Sequence, residues 1–342
     1  MRNTTRVAFN GYLEHIAKLS GVTDPTVKFA VAPSVQQKLE TRIQESSDFL
    51  SKINIVGVTE QQGAKLGLGV GSPIASTTDT TKADRETVDV TDLDETGYLC
   101  TQTNFDSHLT YSKLDSWAKF PDFQTRIRDA VVKRQALDRI AIGFNGTSRA
   151  ATSDRVKNPL LQDVNKGWLQ QYRDQAAARV LATGKTDGKV QIGEGGDYEN
   201  LDALVMDILS NLVDPWHQND TELFVFCGRH LMHDKYFPLM NKSQVPTETL
   251  AADVIISQKR IGGLPAVSVP FFPANAVLVT RFDNLSLYFQ EGGRRRNVVD
   301  NSKRDRIENY ESSNDAFVVE DFGCGCVAEN IELLPPSDKK DA

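Results

Sequence analysis

Residues 65–111 read KLGLGVGSPIASTTDTTKADRETVDVTDLDETGYLCTQTNFDSHLTY. Leu66, Leu68 and Val70 alternate with Lys65, Gly67 and Gly69. Further on, Leu99, Thr101, Thr103, Phe105, Leu109 and Tyr111 share one face at period two. Such alternation marks a strand with one side covered. Between the two stretches, 73–97 is rich in Thr and Asp. It sets Asp79, Asp84, Glu86, Asp89, Asp92, Asp94 and Glu95 against Lys82 and Arg85, a local −5. The pattern predicts a long two-stranded arm across 53–112 with an acidic tip. At about 3.3 Å per residue, roughly 15 residues each way reach about 50 Å. A compact chain of this length has a radius of gyration of only about 20 Å. An isolated hairpin is marginal in water, so the expected support is a neighbouring copy of the chain.

On the C-terminal side of this arm the period changes to 3.6. Pro121 suits a first helical turn, and Phe123, Ile127, Ala130-Val131, Leu137, Ala141 and Phe144 form an apolar stripe up to the stop at Asn145-Gly146. A helix over 121–144 is a rod of about 36 Å. Its outer face is predicted to carry Arg126, Arg128, Asp129, Lys133, Arg134, Asp138 and Arg139. On the N-terminal side, Ser34 to Ile53 reads as a helix capped by Ser34. Before it, Val7, Tyr12, Ile16 and Leu19 recur at helical spacing behind a cap at Thr4 or Thr5, and Ser20-Gly21 ends that helix. Asp24-Pro25 and Ala32-Pro33 break the chain again. Residues 1–33 carry +2, so they are either a separable basic arm or a helix packed on the body.

After residue 145 come a loop-rich stretch, a helix over 167–181 and a glycine cluster at 193–196. A helix capped by Asn200 follows, then a strand at 223–227 and a helix near 229–237. Strands are predicted at 254–257, 266–269, 277–280, 285–290, 317–321 and 327–333, with a disordered tail over 335–342.

Composition narrows the function. The 342 residues carry −7, with 39% hydrophobic residues and 23 glycines, the profile of an ordinary globular chain of two or three domains. The most apolar stretch, Leu264 to Thr280, is cut by Pro265, Pro270 and Pro273, too short to span a membrane. Asn10, Glu14, His15 and Lys18 interrupt any signal-peptide core. Four cysteines are too few for a disulfide framework, which points to a reducing compartment. Net acidity disfavours a protein that grips phosphates by counterion release.

The candidate chemical motifs are weak. Cys227, His230 and His233 stand three apart and could hold zinc in a metal-dependent cytoplasmic enzyme. The ordinary alternative is a buried cysteine beside surface histidines. Cys324 and Cys326 are too close for a comfortable disulfide and read as structural. Thr183-Gly184-Lys185-Thr186 imitates a phosphate loop, but Arg179 stands where the motif needs glycine. Gly67, Gly69 and Gly71 lack a following helix. Arg294, Arg295 and Arg296 with Lys303, Arg304 and Arg306 read as a solvated or inter-subunit face ahead of a DNA-binding one. No catalytic residue, cofactor-binding residue or metal ligand is designated, and no cofactor is expected.

Several long blocks occur in a recognisable order: QESSDFLSKINIV (44–56), IASTTDT (74–80), FQTRIRDAVVKRQALDRIAIGFNG (123–146), NPLLQDVNKGWLQQYR (158–173), GGDYENLDALVMD (195–207), LAADVIISQKRIGGLPAV (250–267), NYESSN (309–314) and VVED (318–321). Over about 1–333 the chain resembles the major capsid proteins of P2-like tailed bacteriophages. The resemblance implies an α+β, HK97-like capsid fold and a non-enzymatic shell subunit. It divides the chain into an N-terminal arm (1–33) removed on maturation, an N-terminal helix (34–52) and an extended hairpin loop (53–112). A peripheral domain with a spine helix (113–195), an axial domain (196–282), peripheral return strands (283–334) and a tail (335–342) follow. It further implies hexameric and pentameric capsomers of an icosahedral head, a scaffolding protein, a maturation protease, a portal and packaged double-stranded DNA bound without sequence specificity. The expected location is the virion, after assembly in the bacterial cytoplasm.

Overall fold

A computed structural model describes residues 1–65, 75–87, 97–117, 123–233, 235 and 259–335. In chain order the first elements are α1 (Asn3–Ser20), β1 (Phe29–Ala30), α2 (Pro33–Glu45), β2 (Asn54–Val58), β3 (Gln62–Ala64) and β4 (Gly97–Leu99). Then come β5 (Thr101–Asn104), β6 (Ser107–Thr110), α3 (Tyr111–Trp117), α4 (Phe123–Asn145), α5 (Trp168–Gln175), β7 (Val180–Leu181) and β8 (Val190–Ile192). They are followed by α6 (Leu201–Leu212), β9 (Phe224–Cys227), β10 (Arg260–Ile261), β11 (Leu264–Val267) and β12 (Val277–Thr280). The last are β13 (Leu285–Gln290), β14 (Arg295–Asn301), β15 (Arg306–Val319), β16 (Cys326–Ala328) and β17 (Ile331–Leu333).

A seven-stranded sheet is organised around β15. Antiparallel β14 and then β13 run along one edge of β15, and β6 and then β5 along the other. Parallel β2 adds to β13, and β1 adds to β14. A second, six-stranded sheet has the order β10-β11-β9-β12-β16-β7. Side chains alternate across it, as strand geometry requires. Phe226 and Leu278 face the core shared with the first sheet, α4 and α5, whereas Val225, Cys227, Val277 and Val279 face the core under α6. Asn200 caps α6 as the sequence predicts, accepting from the Ala203 amide at 2.9 Å. The sheet therefore draws β7 and β16 from outside 196–282.

Helices α4 and α5 cross closely because residue 143 is glycine. A Cβ there would lie 2.1 Å from Cζ3 of the fully buried Trp168. The Trp168 indole donates to Ser286 O at 2.9 Å and packs edge-on against Phe144 and Phe317.

Several elements differ from the sequence expectation. Helix α2 starts at Pro33, whose missing amide suits the first turn, and no side chain caps it, Ser34 included. It stops at Glu45, and turns carry Phe49 and Leu50 into the core, so 34–52 is not one helix. Likewise α1 begins at Asn3 with no side-chain cap, but ends as predicted at left-handed Gly21. The span 53–112 is not a single free hairpin. β2, β5 and β6 belong to the main sheet, and among the described residues the hairpin pairing is that of β3 with β4. Residues 75–87 are exposed and carry a turn at Asp79–Lys82. The predicted strands at 66–70 and 254–257 lie outside the described residues, as does nearly all of the tail.

Candidate assembly interface

Three parts of the molecule bear on the expected arm and hairpin: the docking of α1, the root of the hairpin and a buried ion network. The network joins two guanidinium groups, those of Arg139 and Arg294, to three carboxylates, with a third guanidinium beside them. Arg139 on α4 is 1% exposed and donates from Nε to Asp315 Oδ2 at 3.1 Å and from Nη2 to Asp315 Oδ1 and Glu40 Oε1 at 3.2 Å each. Arg294, fully buried, donates to Glu40 Oε1 at 2.6 Å, to Glu311 Oε1 at 2.7 and 2.9 Å and to Gln135 at 2.7 Å. Gln135 returns a bond to Glu311 Oε2 at 2.8 Å. Arg296 adds the third cation, bonded to Asn309 and to the Tyr12 hydroxyl at 2.9 Å each. Burial alone would push Glu40 up, but Arg139 and Arg294 hold it below the usual carboxylate value. Burial likewise opposes ionisation of Glu311, yet Arg294 and Arg296 bring it down to about 2. Glu40 and Glu311 are therefore charged at neutral pH, and the network ties α2 and α4 to β14 and β15.

The sequence places Arg139 on the outer face of the helix, and the structure corrects this. Arg139 shares a turn-spaced stripe with buried Val132, Gln135 and Ala136. That spacing was the available signal, and a charge in it marks a buried ion pair. The predicted basic face at 294–306 is corrected similarly. Arg294 is inside the protein and Arg296 is half-covered, leaving Arg295, Lys303 and Arg304 exposed.

The N-terminal segment packs on the body. Phe9 and Ile16 of α1 enter a cluster with Leu114, Val298 and Ile307. Arg6 pairs with Asp300, which also accepts from the Tyr111 hydroxyl. Residues 25–31 run along the outer edge of β14. Val298 N donates to Pro25 O at 3.1 Å, Phe29 and Ala30 pair with Arg296 and Arg295, and Val31 N donates to Arg294 O at 2.9 Å. Covering an edge strand blocks unwanted strand addition.

At the hairpin root, Gly63 faces Tyr98, where a Cβ would lie 2.7 Å from the Tyr98 hydroxyl. Tyr98 stacks edge-on against Tyr288 at 5.1 Å, and the Lys65 ammonium donates to Val319 O at 2.6 Å. The root is thus fixed to the main sheet, while Leu99 remains 52% exposed beside it.

The structure does not gather the candidate ligands into a site. Cys227 is buried between the α6 core and β12, and burial pushes its thiol up to about 12. His230 and His233 lie on the exposed side of the next helical turn. Among the described residues no group of three His, Cys, Asp or Glu could hold a metal ion. Cys324 and Cys326 are free buried thiols, both raised by burial, Cys324 to about 12. At the phosphate-loop imitation, Asp197 accepts from the Lys185 amide at 2.6 Å, so a carboxylate of the protein occupies the anion's place.

Comparison with known proteins gives this architecture a family. Residues 8–331 match the family model "Phage major capsid protein, P2 family". The chain is 53% identical to a capsid protein of Escherichia phage P2, covering 97% of this chain and 96% of that one. It is 40% identical to the major capsid protein of Serratia phage KSP20, covering 99% of each. A chain from a satellite phage P4 procapsid that includes the size determination (Sid) protein superposes with a TM-score of 0.83. That chain is 50% identical, with 98% of this chain and all of that one covered. The capsid of an empty GTA particle, 16% identical, shares the fold over 97% of this chain and all of that one, with a TM-score of 0.52. With its α+β, HK97-like fold, the chain belongs to the P2 family of phage major capsid proteins.

Proposed function

We propose that the chain forms hexameric and pentameric capsomers that close into an icosahedral head around double-stranded DNA, held without sequence specificity. The observation that carries this is the 53% identity to a P2 capsid protein across almost the whole length of both chains. The seven-stranded sheet with α4 is read as the peripheral domain, and 196–282 with β7 and β16 as the axial domain. The hairpin loop overlaps the next subunit, its acidic tip on the exposed arginines of α4. The arm of residues 1–33 is trimmed by a maturation protease near residue 30. Its seat along β14 supports a covering role before release. A scaffolding protein and a portal complete the assembly in the bacterial cytoplasm. The protein acts as structure and not as an enzyme.

Electron microscopy of the chain co-expressed with its phage neighbours tests this. Closed particles whose subunits begin near residue 30 by mass spectrometry are expected. Reversing Asp84, Glu86 and Asp89 to Lys should reduce particle yield, most strongly at low salt. Small soluble oligomers alone would refute the shell. An intact Met1 in mature particles would refute the trimming, and a yield unmoved at every ionic strength would refute the tip contact.

A further inference from the structure

Two loops outside the ion network, the arm and the hairpin root each hold an apolar side chain out in solvent on a braced backbone. Trp216, 53% exposed, follows α6. Asp214 N donates to Gly323 O at 3.1 Å, and Arg179 donates to Asp214 Oδ1 at 2.8 Å. Gln218 donates to Val213 O at 2.8 Å, and the His217 ring meets Asp321 at 3.0 Å. Val156, 91% exposed, tops the loop between α4 and α5. There Asp154 Oδ1 accepts from the Val156 and Lys157 amides at 2.9 and 3.2 Å. The Asp154 amide in turn donates to the nearly buried Asp163 at 2.7 Å. A side chain already held in place loses little entropy on docking, and tryptophan is favoured as a contact anchor.

The rims of the two loops carry opposite charge. Next to Trp216 in the chain, His217 meets Asp321, whose side chain is 49% exposed, and its carbonyl accepts from the Asp220 amide at 3.0 Å. Asp220 pairs with Arg281, which also holds Glu222 and Asp283, 71% and 48% exposed. Val156 is flanked by exposed Arg155 and by Lys157, whose side chain is 82% exposed. A cation near an indole face is attracted to it, and the carboxylates would meet the same cations.

We propose that Trp216 of one copy docks on the Arg155–Val156–Lys157 loop of a second copy, as a head-to-tail contact between subunits. The occupant follows from charge complementarity together with a family whose members build shells from many copies of one chain. A contact between two different surfaces closes a ring when its rotation permits. The proposal rests on the shell function above.

The four native cysteines are buried, so introduced thiols report cleanly. Particles of the full chain carrying Val156→Cys and Trp216→Cys are treated with a short bifunctional thiol linker, and each single variant serves as control. A ladder of cross-linked dimers and higher species is expected from the pair only. In parallel, acrylamide quenching is measured on native particles and on native free subunits. The Trp216 share is taken by difference from Trp216→Phe, and Trp168 is buried and contributes little. Quenching of the Trp216 share should fall several-fold on assembly. If closed particles form and either readout is missing, the contact is overturned. If the cysteine pair blocks assembly, the native quenching alone decides. Native chain that yields no closed particles refutes the shell function, and the contact with it.

Discussion

Replacing Arg139 with Met should be among the most damaging single changes in this chain. Arg139 makes four bonds to Glu40 and Asp315, three of them at 3.1–3.2 Å, and is 1% exposed. Charge-assisted bonds are worth about 1.5–3 kcal/mol each, so a simple sum gives roughly 6–12 kcal/mol. That sum overshoots, because the ionised partners repay part of their desolvation elsewhere. Glu40 keeps its 2.6 Å bond from Arg294, and Asp315 keeps the Ser313 hydroxyl. The remaining loss is that of a buried ion pair broken on one side, about 3–5 kcal/mol. Met fills most of the volume, so a cavity adds little. Urea unfolding of the soluble subunit, followed by far-UV circular dichroism, should show a lower midpoint at unchanged slope. Adding Asp315→Asn and Glu40→Gln should recover part of the loss, since the stranded charges are then gone. A drop below about 1 kcal/mol for Arg139→Met would show that the network is neutral to stability, as exposed pairs usually are.

Two more outcomes follow from the same core. Glu311 is held at about 2 against an ordinary 4.5, so its folded pKa is depressed. That stabilisation is complete above about pH 4.5 and is lost as pH falls towards about 2, roughly 3 kcal/mol in all. Thermal midpoints should decline over this window, and Glu311→Gln should flatten the slope; a midpoint independent of pH there would refute the assignment. Gly143→Ala would stabilise an ordinary helix by about 1 kcal/mol, but here the new Cβ meets the Trp168 ring at 2.1 Å. A loss of about 2–3 kcal/mol is expected in urea unfolding, and a gain would show that α5 can shift.

The sequence by itself determined the elements whose signal is local. Apolar residues at 3.6 spacing up to Phe144 mark α4. Of that stripe, however, Ala141 and Phe144 are buried while Ile127, Val131 and Leu137 are only partly covered, and the covered face includes Val132, Gln135, Ala136 and Arg139. Asn200 marks the start of α6 because its side chain can satisfy a helical amide. The ordered blocks also identified the family, since so many residues in one order do not recur by chance. Tertiary structure alone decided which charges are inside. Arg139 and Arg294 look like solvated cations in a one-dimensional pattern. Carboxylate partners stand 99 and 254 residues away at Glu40 and 176 away at Asp315, with Glu311, 17 residues from Arg294, nearer in the chain. The same holds for residues 101–110. Their alternation shows a strand but cannot say which strand it joins. That depends on β15, which lies roughly 200 residues further on, because backbone hydrogen bonds carry no label of their partner. The arm of residues 1–33 shows both limits. Its helix is written in its spacing, but whether that helix packs on the body is settled by the apolar cluster of Leu114, Val298 and Ile307 and by the open edge of β14, which form only once distant segments have met.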